Sequence, residues 1–266
     1  RNYIKSVSLY RQILKQTGSK SDKLTAEANL YSIQLSNDPE TKPLFNDQID
    51  YQKVSKTFKE SADKGNVDSM VLYAKHCMCE RGQSSRNLKE TVKYLKMAIK
   101  DGSGEAMAVY GQILEHGYGI EEVNKKEANE MYMKSYEKND KKGEAYFGFS
   151  KICGGGKEKE KDGLKMIIDS KEDENPAGIN AYGLVIFNGL CDFIADEERG
   201  AFYIKMAADC GYANAMYNLA RCLEKGKGVS KDVNEAVIYY KKSLNEGCLI
   251  ASFYLGNLLT KGDKEA

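Results

Sequence analysis

Few residues in this chain are of the types that do covalent or metal chemistry. His76 and His116 are the only imidazoles among 266 residues. Cys77-Met78-Cys79 beside His76 groups two thiols and an imidazole, the beginning of a zinc or copper site. A metal site needs four ligands, usually drawn from two such pairs. No second pair exists, and Cys77 falls on a register that is apolar in each copy of the repeat described below. It reads as a core thiol, and no metal is expected. Nucleophilic catalysis needs a Ser or Cys, a base and an orienting group, and neither histidine has a nucleophile motif near it. Gly117-Tyr118-Gly119, Gly226-Lys227-Gly228 and Gly154-Gly155-Gly156 could suggest phosphate loops. A dinucleotide fingerprint needs a strand before the glycines and a third glycine after them. Here helical patterns precede the glycines, which therefore read as turns. The acid pairs Glu121/Glu122 and Glu197/Glu198 lie in turns or at helix starts, where they complement the helix dipole. No catalytic residue, cofactor or metal is expected, and the chain reads as no enzyme.

The bulk composition narrows the partners. With 40 basic and 39 acidic residues the net charge is +1. Nucleic acid or an anionic membrane would favour a basic stripe. The runs Lys138–Lys142 and Lys157–Lys161 are interrupted by acids or Asn and read as solvated faces. No stretch approaches the length of a membrane span. Seven cysteines, Cys77, Cys79, Cys153, Cys191, Cys210, Cys222 and Cys248, follow no repeating spacing. That argues for reduced thiols and a cytoplasmic location. The chain opens on Arg1 with no initiator Met and reads as a fragment or processed product, so an ER-lumenal or secreted location stays open.

The elements that position these residues are helices. From Ala215 to Gly247 two amphipathic helices flank a Gly-rich turn. Ala215, Leu219, Ala220 and Leu223 share one face of the first, and Ala236, Tyr239, Tyr240 and Leu244 stripe the second. The small residue opening the first helix recurs as Ser69, Ala106, Ala145, Gly178, Ala215 and Ala251, at steps of 37, 39, 33, 37 and 36 residues. Four positions on stand Tyr73, Tyr110, Phe149, Tyr182, Leu219 and Leu255, and the next residue is always small. Eight on stand Cys77, Leu114, Cys153, Ile186, Leu223 and Leu259. Eleven on is Gly117, Gly156, Gly189, Gly226 or Gly262, with Gly82 late in the first copy. One hairpin cannot bury its apolar stripe alone, so a period of this length means a stacked helical array.

This pattern resembles the Sel1-like repeat family. Gly226-Lys227-Gly228-Val229 followed by Asp232, Tyr203-Ile204-Lys205-Met206-Ala207-Ala208 before Gly211, and Gly117-Tyr118-Gly119-Ile120 carry the likeness. It implies an all-α, right-handed α/α superhelix of helix-turn-helix repeats. The expected division is residues 1–66 as degenerate repeat helices and 67–262 as five complete repeats plus a final unpaired first helix. Residues 263–266 form a polar tail. Helix 2–17, ended by Gly18, is a second helix lacking its partner; a loop at Pro39 and Pro43 precedes helix 49–64. First helices are expected near 67–80, 104–116, 143–153, 177–188, 213–225 and 249–260. Second helices are expected near 88–101, 126–138, 160–170, 197–209 and 233–246, and 171–176 as a polar connector. No composition shift marks a domain boundary.

In such an array the first helices line the concave side. Positions two, six and nine after the opening small residue should face it. They predict a partner-binding groove built from Phe147, Lys151, Asn180, Leu184, Phe187, Tyr217, Arg221, Glu224, Phe253 and Asn257. Aromatics would anchor a partner peptide or helix, and Lys151, Arg221 and Glu224 would orient it. The expected role is a non-catalytic adaptor or scaffold, as the family resemblance also implies. The unpaired helix 249–260 would expose an apolar face open to end-to-end self-association. One alternative is the regulatory or targeting region of a larger enzyme such as a kinase. Another is an enzyme like the Cys-rich relatives proposed to bind β-lactams, but those carry a disulfide in each unit.

Overall fold

A computed structural model describes residues 3–15, 19–35, 42–45, 48–79, 87–118 and 122–265. Gly18, Pro39, Gly82, Gly119, Ile120 and Glu121 lie outside them. Among the described residues there is no strand. The α-helices are α1 (Tyr3–Lys15), α2 (Lys20–Leu35), α3 (Tyr51–Asp63), α4 (Val67–Met78), α5 (Leu88–Lys100), α6 (Gly104–His116) and α7 (Lys125–Glu137). They continue as α8 (Lys141–Cys153), α9 (Lys157–Glu172), α10 (Pro176–Asn188), α11 (Glu197–Asp209), α12 (Ala213–Lys225), α13 (Val233–Asn245) and α14 (Ile250–Glu265). Pro43 lies in a short 3₁₀ turn, Lys42–Leu44.

Short polar residues start most of these helices. Asp50, Asn66, Asn87, Ser103, Asn124, Asp140, Asn175, Asp196 and Asp232 each accept a hydrogen bond from a backbone N–H of the first turn. Such a side chain satisfies a donor that the helix itself leaves unpaired. Tyr212, which caps α12, makes no such bond. The first-helix caps Asn66, Ser103, Asp140, Asn175 and Tyr212 stand 37, 37, 35 and 37 residues apart. They give a cleaner ruler than the apolar pattern.

The chain divides into two compact units, Arg1–Asp101 and Gly102–Ala266. In the first, α1 packs on α2, α2 on α3, α3 on α4 and α4 on α5. Val54, Phe58, Ala62, Ala74, Tyr94 and Leu95 are its buried centre. His76 is buried there, edge-on to Phe58 with ring centroids 6.2 Å apart. It is a core residue, as is Cys77. In the second unit each helix from α6 to α14 packs on the next. In addition α6 touches α8, α8 touches α10 and α10 touches α12. The first helices thus form one continuous face.

Small residues set the spacing. The glycine that opens a first helix sits against a serine of the preceding second helix: a Cβ on Gly143 would lie 2.1 Å from Ser135 Oγ, and one on Gly178 2.5 Å from Ser170 Oγ. Five positions on, a Cβ on Gly111 would meet the Tyr132 ring at 2.5 Å, and on Gly148 and Gly183 the carbonyls of Gly163 and Gly200 at 3.0 and 2.9 Å.

This geometry corrects the register of the third copy. Its opening residue is Gly143, three after the cap Asp140 as Gly178 is three after Asn175. Ala145, Phe149, Ser150, Cys153 and Gly156 imitate the pattern two residues late. Lys151, which takes the place of an apolar packing residue, pairs with Asp162 of α9 at 3.3 Å. Cys153, assigned to that packing position, is exposed. Two helix ends also differ from expectation. Helix α9 runs to Glu172, into the expected connector, until Pro176 opens α10 at its first turn. Helix α14 continues through Gly262 and most of the expected tail, whose lysines and glutamate are good helix formers.

No disulfide joins Cys153, Cys191, Cys210, Cys222 or Cys248. Burial pushes the Cys222 and Cys248 thiols up to about 11 from 9.0. Both stay protonated in the folded protein while an unfolded chain ionises them from about pH 9. Their contribution is therefore present below pH 9 and is lost as pH rises from about 9 to about 11. A falling melting temperature across that window is expected, together with alkylation at pH 8 of exposed Cys153 and Cys210 before Cys222 and Cys248. Equal labelling of all four in the folded protein would contradict it.

Candidate partner-binding face

The face made by the first helices of the second unit encloses a cavity of about 550 Å³. Aromatic rings form much of its wall. Tyr132 and Tyr146 lie with centroids 5.1 Å apart, and Tyr132 Oη donates to Glu115 at 2.7 Å. Tyr118, in the turn after α6 with a φ of +44°, brings its ring to 5.5 Å from His116. Tyr146 Oη meets Tyr212 Oη at 2.5 Å, and Asn214 Nδ2 donates to Tyr146 Oη at 3.3 Å. The aromatic cap of α12 thus reaches across to α8. Burial raises the pKa of Tyr118, Tyr132, Tyr146 and Tyr212 above the ordinary phenol value. Their hydroxyls remain protonated as hydrogen-bonding groups.

Amides form another part of the wall. Asn218 Nδ2 donates to Asn180 Oδ1 at 3.0 Å, joining α12 to α10. Asn180 is only 6% exposed. That bond leaves Asn180 Nδ2 and Asn218 Oδ1, one donor and one acceptor, without a partner among the described residues, on side chains that line the cavity. Peptide backbone offers the complementary acceptor and donor.

The cavity also holds His116 and Cys153, types used in nucleophilic catalysis. Although Cys153 is exposed as a residue, partial desolvation of its thiol at the cavity wall, aided by Glu115, holds the pKa up, the reverse of thiolate activation. Burial also lowers the His116 pKa. No hydrogen bond joins the two residues. A second hollow of about 270 Å³ shares Leu184 and Asn218 with the first and continues to Phe187, Arg221 and Lys225. A larger one, about 1080 Å³, is an open rim between residues 192–199 and the 226–230 turn.

Of the ten residues expected in a groove, Asn180, Leu184 and Tyr217 line the cavity. Phe187 and Arg221 line the adjoining hollow. Glu224 sits on α12 but is taken up by Tyr240, whose Oη donates to it at 2.7 Å. Phe147 and Lys151 line neither: Phe147 packs 5.9 Å from the Tyr136 ring, with Lys151 over its face at 5.3 Å. The two-residue register error put them there, and the true equivalents are Ala145 and Phe149, which do line the cavity. Phe253 and Asn257 are exposed on α14, outside both hollows. Sequence reasoning missed Tyr118, Tyr146, Tyr212, Asn214 and Asn218. Tyr212 carried a signal, standing where Asn66, Ser103, Asp140 and Asn175 are short polar caps.

Among the described residues no helix is long and apolar enough to cross a membrane, and no group of three or more His, Cys, Asp or Glu could hold a metal. The Sel1 repeat profile matches residues 67–103, 104–140, 176–212 and 213–248, more than half the chain. The chain belongs to the Sel1 repeat family. The unmatched interval contains α8 and α9, where the register departs. Among solved structures, a protective antigen of uropathogenic Escherichia coli displaying an SLR fold is 18% identical. It is matched over 98% of this chain and 57% of its own, with a TM-score of 0.52. A sel1 repeat protein from Klebsiella pneumoniae is 16% identical over 77% of this chain and 98% of its own, also with a TM-score of 0.52. The chain thus spans little more than half the length of the first of these. Both likenesses concern the fold. No curated protein sequence matches this one.

Proposed function

We propose that this protein is a non-catalytic adaptor that binds an extended segment of a partner protein on the first-helix face of the Gly102–Ala266 unit. The observation that carries this reading is the Asn180–Asn218 pair. It presents one open donor and one open acceptor on the wall of a cavity that Tyr118, Tyr132, Tyr146, Phe149 and Tyr217 also line. Recognition of main chain by amides, with a side chain seated among rings, is a recurrent way to hold an extended peptide. Sel1 repeats serve protein–protein interaction, and the matches give no support to the larger-enzyme alternative.

Selection of capped peptides from a displayed random library tests it. Wild-type protein is expected to enrich peptides that lose binding at least about tenfold to a Leu184→Arg variant. The half-buried Leu184 lies between the two hollows, so arginine there obstructs both. Enriched peptides that bind wild type and a folded Leu184→Arg variant equally would place the site elsewhere.

A further inference from the structure

We infer that the segment bound on this face carries an acidic side chain, seated on Arg221 beside the backbone that Asn180 and Asn218 hold. This rests on the peptide-binding reading above and specifies its partner.

Arg221 is poised and unneutralised. Its guanidinium carbon lies 4.9 Å from the centroid of the Tyr254 ring and 5.9 Å from that of Tyr217. Nη1 donates to Tyr217 Oη at 3.3 Å, and Nε is buried with no hydrogen-bond partner. No carboxylate among the described residues pairs with it. Glu224, one turn along α12, already accepts from Tyr240, and Glu197 pairs with Lys227 at 3.0 Å. Lys225 shares the lining of the hollow. The hollow therefore has a net positive wall, with its nearby acids engaged elsewhere. A guanidinium fixed in plane by aromatic contacts suits a planar carboxylate held through two parallel N–H bonds.

The spacing joins this seat to the amide pair. Asn218 and Arg221 are three residues apart on α12, neighbours on one helix face about 5–6 Å apart at Cβ. Side chains two apart along an extended peptide lie about 7 Å from each other on one side. A chain whose backbone meets Asn180 and Asn218 can thus deliver a neighbouring Asp or Glu to Arg221. The Asn180 amide nitrogen is an unfilled donor and the Arg221 guanidinium a cation without a carboxylate partner among the described residues, and a single acidic segment supplies an acceptor to the first and a counter-charge to the second.

The test uses fluorescein-labelled pools of short peptides, acetylated and amidated so that no terminal carboxylate competes. They are randomised among Ala, Ser and Val around a central Glu, Gln or Lys. Anisotropy should show the Glu pool binding roughly tenfold tighter than the Gln pool, and the Lys pool weakest. Arg221→Gln should erase the preference for Glu over Gln while leaving Gln-pool binding. Asn180→Ala should weaken the Glu and Gln pools alike. If Arg221→Gln fails to melt cooperatively, Arg221→Lys replaces it and should reduce the preference without abolishing it. Equal Glu and Gln binding that still depends on Asn180 overturns the acidic partner and leaves the peptide site standing. A Glu preference indifferent to both Arg221 and Asn180 overturns both readings, as does binding of none of the pools.

Discussion

Replacing Gly228 with alanine is expected to destabilise the Gly102–Ala266 unit by about 3 kcal/mol, a fall in melting temperature of roughly 6–12 °C. Two effects add. Gly228 has a φ of +68°, a region that costs an L-residue about 1–2 kcal/mol. A Cβ there would also stand 2.0 Å from the Glu197 carbonyl oxygen and 2.9 Å from Ala201 Cβ, so the turn after α12 could not keep its seat on the start of α11. Overpacking of that kind costs about 1–3 kcal/mol. Gly211→Ala separates the two effects. Its φ is +83° but nothing lies within 4 Å of the added carbon, so only the backbone penalty of about 1 kcal/mol remains. Denaturant or thermal unfolding of the pair checks this, and equal losses would mean that contact between successive hairpins is not what Gly228 protects.

Truncating Tyr240 should be more damaging still. The residue is fully buried, stacks on Tyr254 at 6.3 Å between centroids and meets Tyr217 at 6.2 Å. Tyr240→Ala is expected to cost about 3–5 kcal/mol, as large-to-small changes in an aromatic core do. Tyr240→Phe keeps the rings and removes only the hydroxyl donated to Glu224, so the loss should be about 1–3 kcal/mol. It should also release Glu224, already anionic, from its hydrogen bond so that it competes for Arg221 and weakens capture of an acidic peptide. A Phe variant as unstable as the Ala variant would show that the hydroxyl, not the ring packing, holds this part of the core.

The repeat was legible because packing chemistry is narrow. Where two helix backbones nearly touch, only Gly, Ala or Ser fits, and the facing bulky residue must then recur at a fixed interval. That logic placed Gly178, Gly183 and Ala215 correctly. It slipped at Gly143 because Ala145 and Phe149, which face the cavity, happen to match the small-then-bulky sequence, and because Lys151 occupies a place that is otherwise apolar. The caps would have prevented the slip, since hydrogen-bonding geometry at a helix start is stricter than apolarity. The candidate site was half legible for a different reason. A helical offset gives a direction relative to one axis, so Asn180, Leu184 and Tyr217 followed from it. The meeting of Tyr146 with Tyr212, 66 positions apart, depends on how three hairpins curve around one another, which no local spacing encodes.

Tyr212 shows how an array of this kind acquires a new specificity cheaply. The residue lies outside the small-and-bulky pattern that keeps hairpins in file, at a position whose ordinary duty is to tie off a helix end. Its neighbours on other repeats could exchange that duty for a side chain reaching into the same wall, one unit at a time. Diversity on this surface can therefore arise at helix starts while the scaffold behind them stays unaltered.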